Sequence, residues 1–306
     1  MTRACRLALI GASVFLAAVV VSAQNRTLRF VSPVRPPFTD AVGRPRFALD
    51  LVEEALRRAN VTATTAIVPA GEYGTALMNG PYDGTGVAWR DSAREKLLLF
   101  SEPYLENRLV LVARTGADVS APSLAALKGK RIAIISGYAY GDDNLNAGPT
   151  WVRTNGEQES MTMLLGGSID YVLMDELVLE YLTAQYPEES RTRLAIGTQP
   201  LIVRPVHMAL HRSLPDAAVI IRGFNAQLKQ MILDRTYHKL LHVDWIYTDV
   251  DGDGRKELIG ASDQAGKTPP QHAYALFTQS QLEAQVKKDE ERYFFGGAVY
   301  SGWSSV

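Results

Sequence analysis

Cysteine is almost missing from this sequence. The single one, Cys5, lies near the N-terminus, ahead of the longest apolar run. One thiol can build neither a disulfide framework nor a cysteine-ligated zinc site. Clusters of lysine and arginine are missing too: 32 basic residues stand against 33 acidic ones, scattered through the chain, for a net charge of −1. Without a basic stripe the chain has no electrostatic footprint for nucleic acid. Internal repeats and low-complexity tracts are also missing. The longest apolar run, Leu7 to Val21, is short of the roughly 20 residues that a membrane-spanning helix requires. The histidines at 207, 211, 238 and 242 fall at no metal-ligand spacing and read as structural. What remains is ample for two folded units: 306 residues, 46% hydrophobic and 21% charged, a composition far from that of a disordered chain.

Arg3 and Arg6 precede the apolar run, and Val21-Ser22-Ala23 follows it. A basic start, a short apolar stretch and small residues before a cut make an export signal, so residues 1–23 read as a signal peptide cleaved before Gln24. An uncleaved anchor is the alternative. Cys5 is on the wrong side of the run for a lipid attachment. An exported chain without disulfides must be held by its core.

Beyond the leader, stretches with strand and helix periodicity alternate. Strands are predicted over 27–31, 61–68, 83–88, 109–112, 131–135, 169–176 and 207–211. Helices are predicted over 48–60, 72–79, 123–128, 157–165, 177–186, 216–234 and 236–240, with an amphipathic run at 93–99 and a late helix at 281–291. Such alternation implies a mainly parallel α/β sheet. Ligands of these sheets sit beyond the carboxyl ends of the strands. The proline loop after Val31 and the turn after strand 83–88 would both lie there.

The stretch Tyr82 to Tyr104 organises the reading. An apolar strand meets the polar turn Trp89-Arg90-Asp91-Ser92, then an amphipathic run, then Phe100-Ser101-Glu102-Pro103-Tyr104. Backbone N–H groups at such a turn, joined by a guanidinium, can converge on an anion. Arg94 is the candidate. The plainer alternative is a solvated arginine paired with Glu95 or Glu102.

An arginine six residues before Phe-Ser-x-Pro-Tyr resembles the family 3 extracellular solute-binding proteins, periplasmic receptors for amino acids and related solutes. Leu127-Lys128-Gly129-Lys130-Arg131-Ile132-Ala133, the Gly-x-x-Asp phrase leading to Asp175, and Thr236-Tyr237-His238-Lys239-Leu240 are similar to further phrases of that family. The resemblance covers roughly residues 26 to 245. It implies an α/β, two-lobed type II periplasmic-binding-protein fold, each lobe a mainly parallel sheet flanked by helices. Lobe 1 would take 24–107 and 206–246, lobe 2 would take 108–205, and 247–306 would be a small C-terminal extension. It also implies that Arg94 grips a ligand's α-carboxylate and that Asp175 meets its α-ammonium. Asp175 can equally cap the next helix.

The chain departs from the family at two places. Arg35 stands where an aromatic opens the Pro-Phe loop, so either Phe38 covers the ligand or Arg35 reads another anion; Phe38 as a core residue is the other reading. Tyr138 and Ala139 replace small hydroxyl residues. Tyr138 and Tyr140, with Trp89, complete the candidate ligand-binding set and could stack on a ligand or shrink its site.

The resemblance implies a monomeric receptor without enzymatic activity. It would close by a hinge near 105–109 and 201–206 on an amino acid or similar small polar carboxylate, and pass it to a membrane permease of an ABC-type transporter. It needs no cofactor for binding. The alternatives are a sensory or partner-binding module of the same fold, or a cyclohexadienyl-dehydratase-like enzyme with Glu176 or Glu72 as its acid.

The extension carries Asp249-Val250-Asp251-Gly252-Asp253-Gly254-Arg255-Lys256-Glu257. Carboxylates at loop positions 1, 3, 5 and 9, glycine at 6 and the Arg255 carbonyl can wrap a hard cation. The helix-loop-helix version needs Glu at position 12, where Gly260 stands. The phrase is instead similar to the calcium loops of integrin-type repeats and dockerin modules. Asp249, Asp251, Asp253, Arg255 and Glu257 are therefore the candidate calcium ligands; a polar hairpin is the alternative. The aromatic residues Tyr293, Phe294, Phe295, Tyr300 and Trp303 near the end carry no assigned role.

Overall fold

The computed structural model describes residues 26–251, 253–262, 272–275, 284–285 and 292–305. The expected export signal lies outside the described residues.

The first half opens with β1 (Arg26–Pro33), α1 (Phe47–Arg58), β2 (Val61–Val68), α2 (Ala70–Asn79) and β3 (Gly84–Trp89). β1 pairs in parallel with β2 along its whole length and with β3 at Phe30 and Gly84. Every residue of β3 is buried, as expected of a central strand, whereas β2 alternates between partly buried and exposed positions, as expected of an edge. α1 buries Ala48, Leu49, Leu51, Val52, Ala55 and Leu56 on one face. The short α3 (Ser92–Glu95) and β4 (Leu98–Phe100) follow. The amphipathic run at 93–99 thus divides between a single turn and a strand, because Leu98 and Leu99 pair with the strand described below.

β5 (Leu105–Arg114) leads into the second half, through a 3₁₀ turn at Leu124–Leu127 to β6 (Arg131–Ile135), α4 (Asp142–Leu145), β7 (Thr150–Thr154), α5 (Glu157–Leu165), β8 (Tyr171–Asp175), α6 (Glu176–Gln185), α7 (Pro187–Arg193) and β9 (Leu194–Ile196). β6 pairs in parallel with β7 and β8. β10 (Ile202–His211) returns the chain to the first half, and α8 (Ala217–Leu233) and α9 (Thr236–Leu241) pack back on α1. The sheet order is β2-β1-β3-β10-β5-β8-β6-β7. The architecture is the expected mixed α/β one, a parallel core in each half joined by antiparallel strands.

β5 and β10 are longer than their periodicity predicts because each serves both halves. Val206 to Leu210 lies against β3, while Ile202 to Val206 lies against Leu105 to Leu109 of β5. β5 continues along β8 and β9. The lobe limits read from the sequence, at 107/108 and 205/206, fall inside these two strands.

The extension adds β11 (Trp245–Thr248), β12 (Glu257–Gly260), β13 (His272–Ala275), β14 (Ala284–Gln285), β15 (Arg292–Phe295) and β16 (Ala298–Ser301). They form a second sheet, β14-β13-β11-β12-β15-β16. Ala284 and Gln285 pair with β13 as strand, not as the predicted 281–291 helix; the rest of that span lies outside the described residues. Leu258 and Tyr293 pack with Trp245, Tyr247 and Trp303, while Ile246 and Ile259 join the main core. The extension is therefore docked by apolar burial as well as by chain connectivity.

One docking contact is titratable. His238 of α9 is buried, and its Nε2 lies 3.0 Å from the Ile259 carbonyl of β12. Burial, helped by Arg235 and opposed by the Ile259 carbonyl and Asp244, pushes its pKa down to about 4. The unfolded chain binds the proton near pH 6.5, the native state only near 4. The stability that depends on neutral His238 is present above about pH 6.5 and is lost as pH falls toward 4, by up to about 3 kcal/mol. Urea unfolding across that window should show the loss, and His238→Gln, which keeps a donor but does not titrate, should flatten it.

Candidate functional site

The loop after β1, the end of β3 and α3 face the turn after β6 and the start of α5. This is the carboxyl edge of the parallel strands in both halves, the place where such sheets take ligands.

The loop after β1 is stiff. Arg35 N–H donates to the Thr39 carbonyl at 2.7 Å, and the Arg35 carbonyl accepts from the N–H groups of Phe38 and Thr39 at 3.0 Å each. Thr39 Oγ1 donates to the Pro33 carbonyl at 2.6 Å, and the Pro36–Pro37 bond is cis. This frame sends the Arg35 side chain into the crevice. Its guanidinium carbon lies 5.5 Å from the ring centroids of Phe38, Trp89 and Tyr138 alike. Each such contact is worth about 0.5–2 kcal/mol, more when dry. Nη1 donates to Asn107 Oδ1 at 3.0 Å, and Nε faces Glu157 Oε1 at 3.4 Å. Burial alone would lower the Arg35 pKa. The negative potential of Tyr138, Asp175 and Glu157 outweighs it, so the cation is held.

Arg94 is also buried. Asp91 caps α3, its Oδ1 accepting the Arg94 N–H at 2.7 Å, and the turn points the guanidinium inward. Nη1 donates to the Trp89 carbonyl and Nη2 to the Gly137 carbonyl across the crevice, both at 2.9 Å. Glu95, offered as a surface partner for Arg94, pairs instead with Arg90. Trp89 is not part of a polar turn but the buried last residue of β3, and its indole Nε1 donates to Asn107 Oδ1 at 2.7 Å. Arg204 completes the cationic set, with its guanidinium 6.0 Å from the Trp89 ring and Nη2 donating to the Arg90 carbonyl.

Asp175 ends β8 and caps α6. Its Oδ1 accepts the N–H groups of Leu177 and Val178, and Oδ2 accepts that of Arg108 at 3.0 Å. Burial raises its pKa, and Arg35 is the leading influence that opposes the rise. The Asp175 oxygens themselves are taken up by backbone N–H groups, with the positive charge of Arg35 acting on them from nearby. Glu176 pairs with Arg108 at 2.9 Å and Glu72 is exposed.

Tyr138 and Tyr140 stack with centroids 6.4 Å apart, and each meets the Trp89 ring edge-on, at 5.4 and 5.3 Å. Phe38 is buried against Phe47, 4.8 Å away, so it belongs to the core and to the crevice at once. The halves touch closely at α2: a methyl group on Gly74 would stand 2.9 Å from the Gly137 carbonyl, and one on Gly71 2.7 Å from Asn155 Oδ1. The cavity left among Arg35, Phe38, Tyr73, Trp89, Arg94 and Tyr138 is about 20 Å³. That holds about one water.

Of the six residues singled out for ligand binding, Phe38, Trp89, Arg94 and Tyr138 line this cavity, Tyr140 packs beside them against Trp89 and Tyr138, and the Asp175 carboxylate is taken up by backbone N–H groups at the start of α6 and in β5. Asn107, Glu157, Tyr73 and Arg204 join them without a sequence signal, since strand and helix periodicity do not tell which charged residue faces inward.

The fold is that of a type II periplasmic binding protein. A GluR0 ligand-binding core in complex with L-glutamate has a TM-score of 0.60 and 19% identity, over 72% of this chain and 98% of that one. An ancestral arginine-binding protein bound to arginine has a TM-score of 0.60 and 24% identity, over 72% and 98%. The arginine 3rd transport system periplasmic binding protein from Legionella pneumophila has a TM-score of 0.58 and 25% identity, over 71% and 98%. No protein-family model matches the chain, and no curated protein matches it. Among the described residues no helix is long and apolar enough to cross a membrane.

In the extension the loop between β11 and β12 draws oxygens of Asp249, Asp251 and Glu257 within 4.8 Å of one another. Asp253 Oδ1 accepts the Arg255 N–H at 2.8 Å. Arg292 of β15 enters this group, pairing with Asp251 at 3.1 Å, Asp253 at 2.8 Å and Glu257 at 2.9 Å.

Because Asp175 supplies the acceptor for three backbone N–H groups, it stabilises the fold irrespective of any ligand. Asp175→Ala should cost about 2–3 kcal/mol in urea unfolding, and Asp175→Asn, which keeps one acceptor oxygen, distinctly less.

Proposed function

We propose that this protein is a periplasmic solute receptor that captures an amino acid or similar small polar carboxylate between its halves. The observation that carries the reading is the buried guanidinium of Arg94, whose Nη2 reaches across the crevice to the Gly137 carbonyl. Opening the crevice frees that donor, and a solute carboxylate competes with the carbonyl for it. A charge-assisted bond is the stronger of the two. The closed form is then favoured by a ligand that touches both halves. The fold shared with glutamate- and arginine-binding structures supports solute binding over catalysis. Delivery to a membrane permease follows from that reading. The six-stranded extension favours one second reading, a sensory module that presents this sheet to a partner.

The acidic loop fits a hard cation by its donor set, three carboxylates brought together. Calcium held by Asp249, Asp251 and Glu257, with Asp253 and the Arg255 carbonyl as the further expected ligands, would supply the positive charge that Arg292 now supplies.

Two experiments test these readings. Calorimetry against the common amino acids and short carboxylates should find a binder, and Arg94→Ala should weaken it about 10–150-fold, the equivalent of one charged hydrogen bond; unchanged affinity in the variant rejects the role of Arg94. Calcium should raise the melting temperature with a half-effect at about 10⁻⁴–10⁻³ M. Arg292→Gln should move the half-effect to lower calcium and Asp251→Asn should abolish it; no calcium effect in wild type or Arg292→Gln eliminates the site.

A further inference from the structure

We infer that the crevice is a guanidinium-binding cage whose resident occupant is the chain's own Arg35, and that Arg35 thereby sets the specificity of the site against free arginine-like cations. The inference rests on the solute-receptor reading for its bearing on ligand choice, but the cage itself stands on the contacts of Arg35.

Those contacts are what a binding site offers a cationic ligand. Three aromatic rings surround the guanidinium carbon at one distance, 5.5 Å. Aromatic faces around a cation are a recognition device, effective in proportion to how dry they are. An amide oxygen, Asn107 Oδ1, takes one N–H, and a carboxylate, Glu157, faces Nε from the other half of the molecule. Asp175 adds a second negative charge nearby. Arg35 is 6% exposed, and the cavity beside it is about 20 Å³. No amino acid fits beside it. A free arginine would have to displace a group of its own kind that is already tethered, and a tethered occupant competes at high effective concentration.

The occupant is built in, not swung in. Its backbone is fixed by the paired Arg35–Thr39 bridge and by Thr39 Oγ1 on the Pro33 carbonyl. A surface arginine that happened to fold inward would show no such frame. With Arg35 in place, the other cations of the crevice, Arg94 and Arg204, donate to the carbonyls of Trp89, Gly137 and Arg90. Glu157 is committed to Arg35, and Asp175 to backbone N–H groups. The wild-type crevice is thus biased toward anions. Shortening residue 35 should reverse that bias, leaving the Glu157 carboxylate, an amide oxygen and three rings around a cation-shaped hole.

The test is chemical replacement of the missing side chain. Wild type, Arg35→Ala and Arg35→Ala with Glu157→Gln are compared by thermal melting and calorimetry against N-ethylguanidinium and L-arginine at millimolar concentrations. Wild type should not respond to either compound. Arg35→Ala should melt lower and regain its melting temperature saturably with N-ethylguanidinium, and adding Glu157→Gln should weaken that response about tenfold, as loss of one charged partner does. If Arg35→Ala does not fold alone, refolding with and without N-ethylguanidinium gives the readout, and recovery of native circular dichroism only with the compound supports the cage. A folded Arg35→Ala that binds neither compound, a variant that refolds in neither condition, or a wild type that binds L-arginine as well as Arg35→Ala does, overturns the inference. Wild type that binds no carboxylate while Arg35→Ala binds N-ethylguanidinium would reject solute capture and leave the cage standing.

Discussion

A positive charge withdrawn from water must be met by something that replaces the water, and the crevice of this protein is arranged around that requirement. Arg35 is met by three ring faces, an amide oxygen and a carboxylate. The partners come from both halves: Phe38, Trp89 and Asn107 from the strands and loops of the first and the crossing, Tyr138 and Glu157 from the second. One side chain therefore links elements that are distant in sequence. Trp89 at the buried end of β3 and Tyr138, stacked on Tyr140, each turn a ring toward it.

The extension repeats the device with more carboxylates and no rings. There the carboxylates of Asp251, Asp253 and Glu257 would repel one another, and Arg292 from a neighbouring strand lies among them. In both places a guanidinium of the chain occupies ground on which the sequence pattern predicts a partner from outside. Planar, permanently charged and able to bond in several directions, arginine suits that task better than lysine.

Much of this was legible in the sequence, for identifiable reasons. Helix α1 declares itself because its apolar residues recur on one face, and β2 because it alternates. The phrase around Arg94 stands out by its resemblance, whereas the Asp91 cap and the single helical turn that aim the guanidinium inward emerge only in the structure. The lengths of β5 and β10 were not legible. Their outer residues are buried by pairing with each other, and pairing across nearly a hundred residues leaves no local period. The fate of Leu98 and Leu99 was hidden likewise, since a helical-looking run became a strand only by lying against β10. Arg35 stood out as a departure from an aromatic position, but nothing local could say that its neighbours would be Glu157 and Tyr138. Charged residues that face inward are set by tertiary contact, not by period.

The ladder between the crossing strands bears on mechanics. Leu105 to Leu109 and Ile202 to Val206 are bonded to each other residue by residue, and each continues into both halves. The halves consequently share one ribbon in place of two independent tethers. A ribbon of two antiparallel strands resists stretching and shear but yields readily to torsion, so any relative motion of the halves would be confined largely to rotation, with the hydrogen-bonded ribbon as its axle.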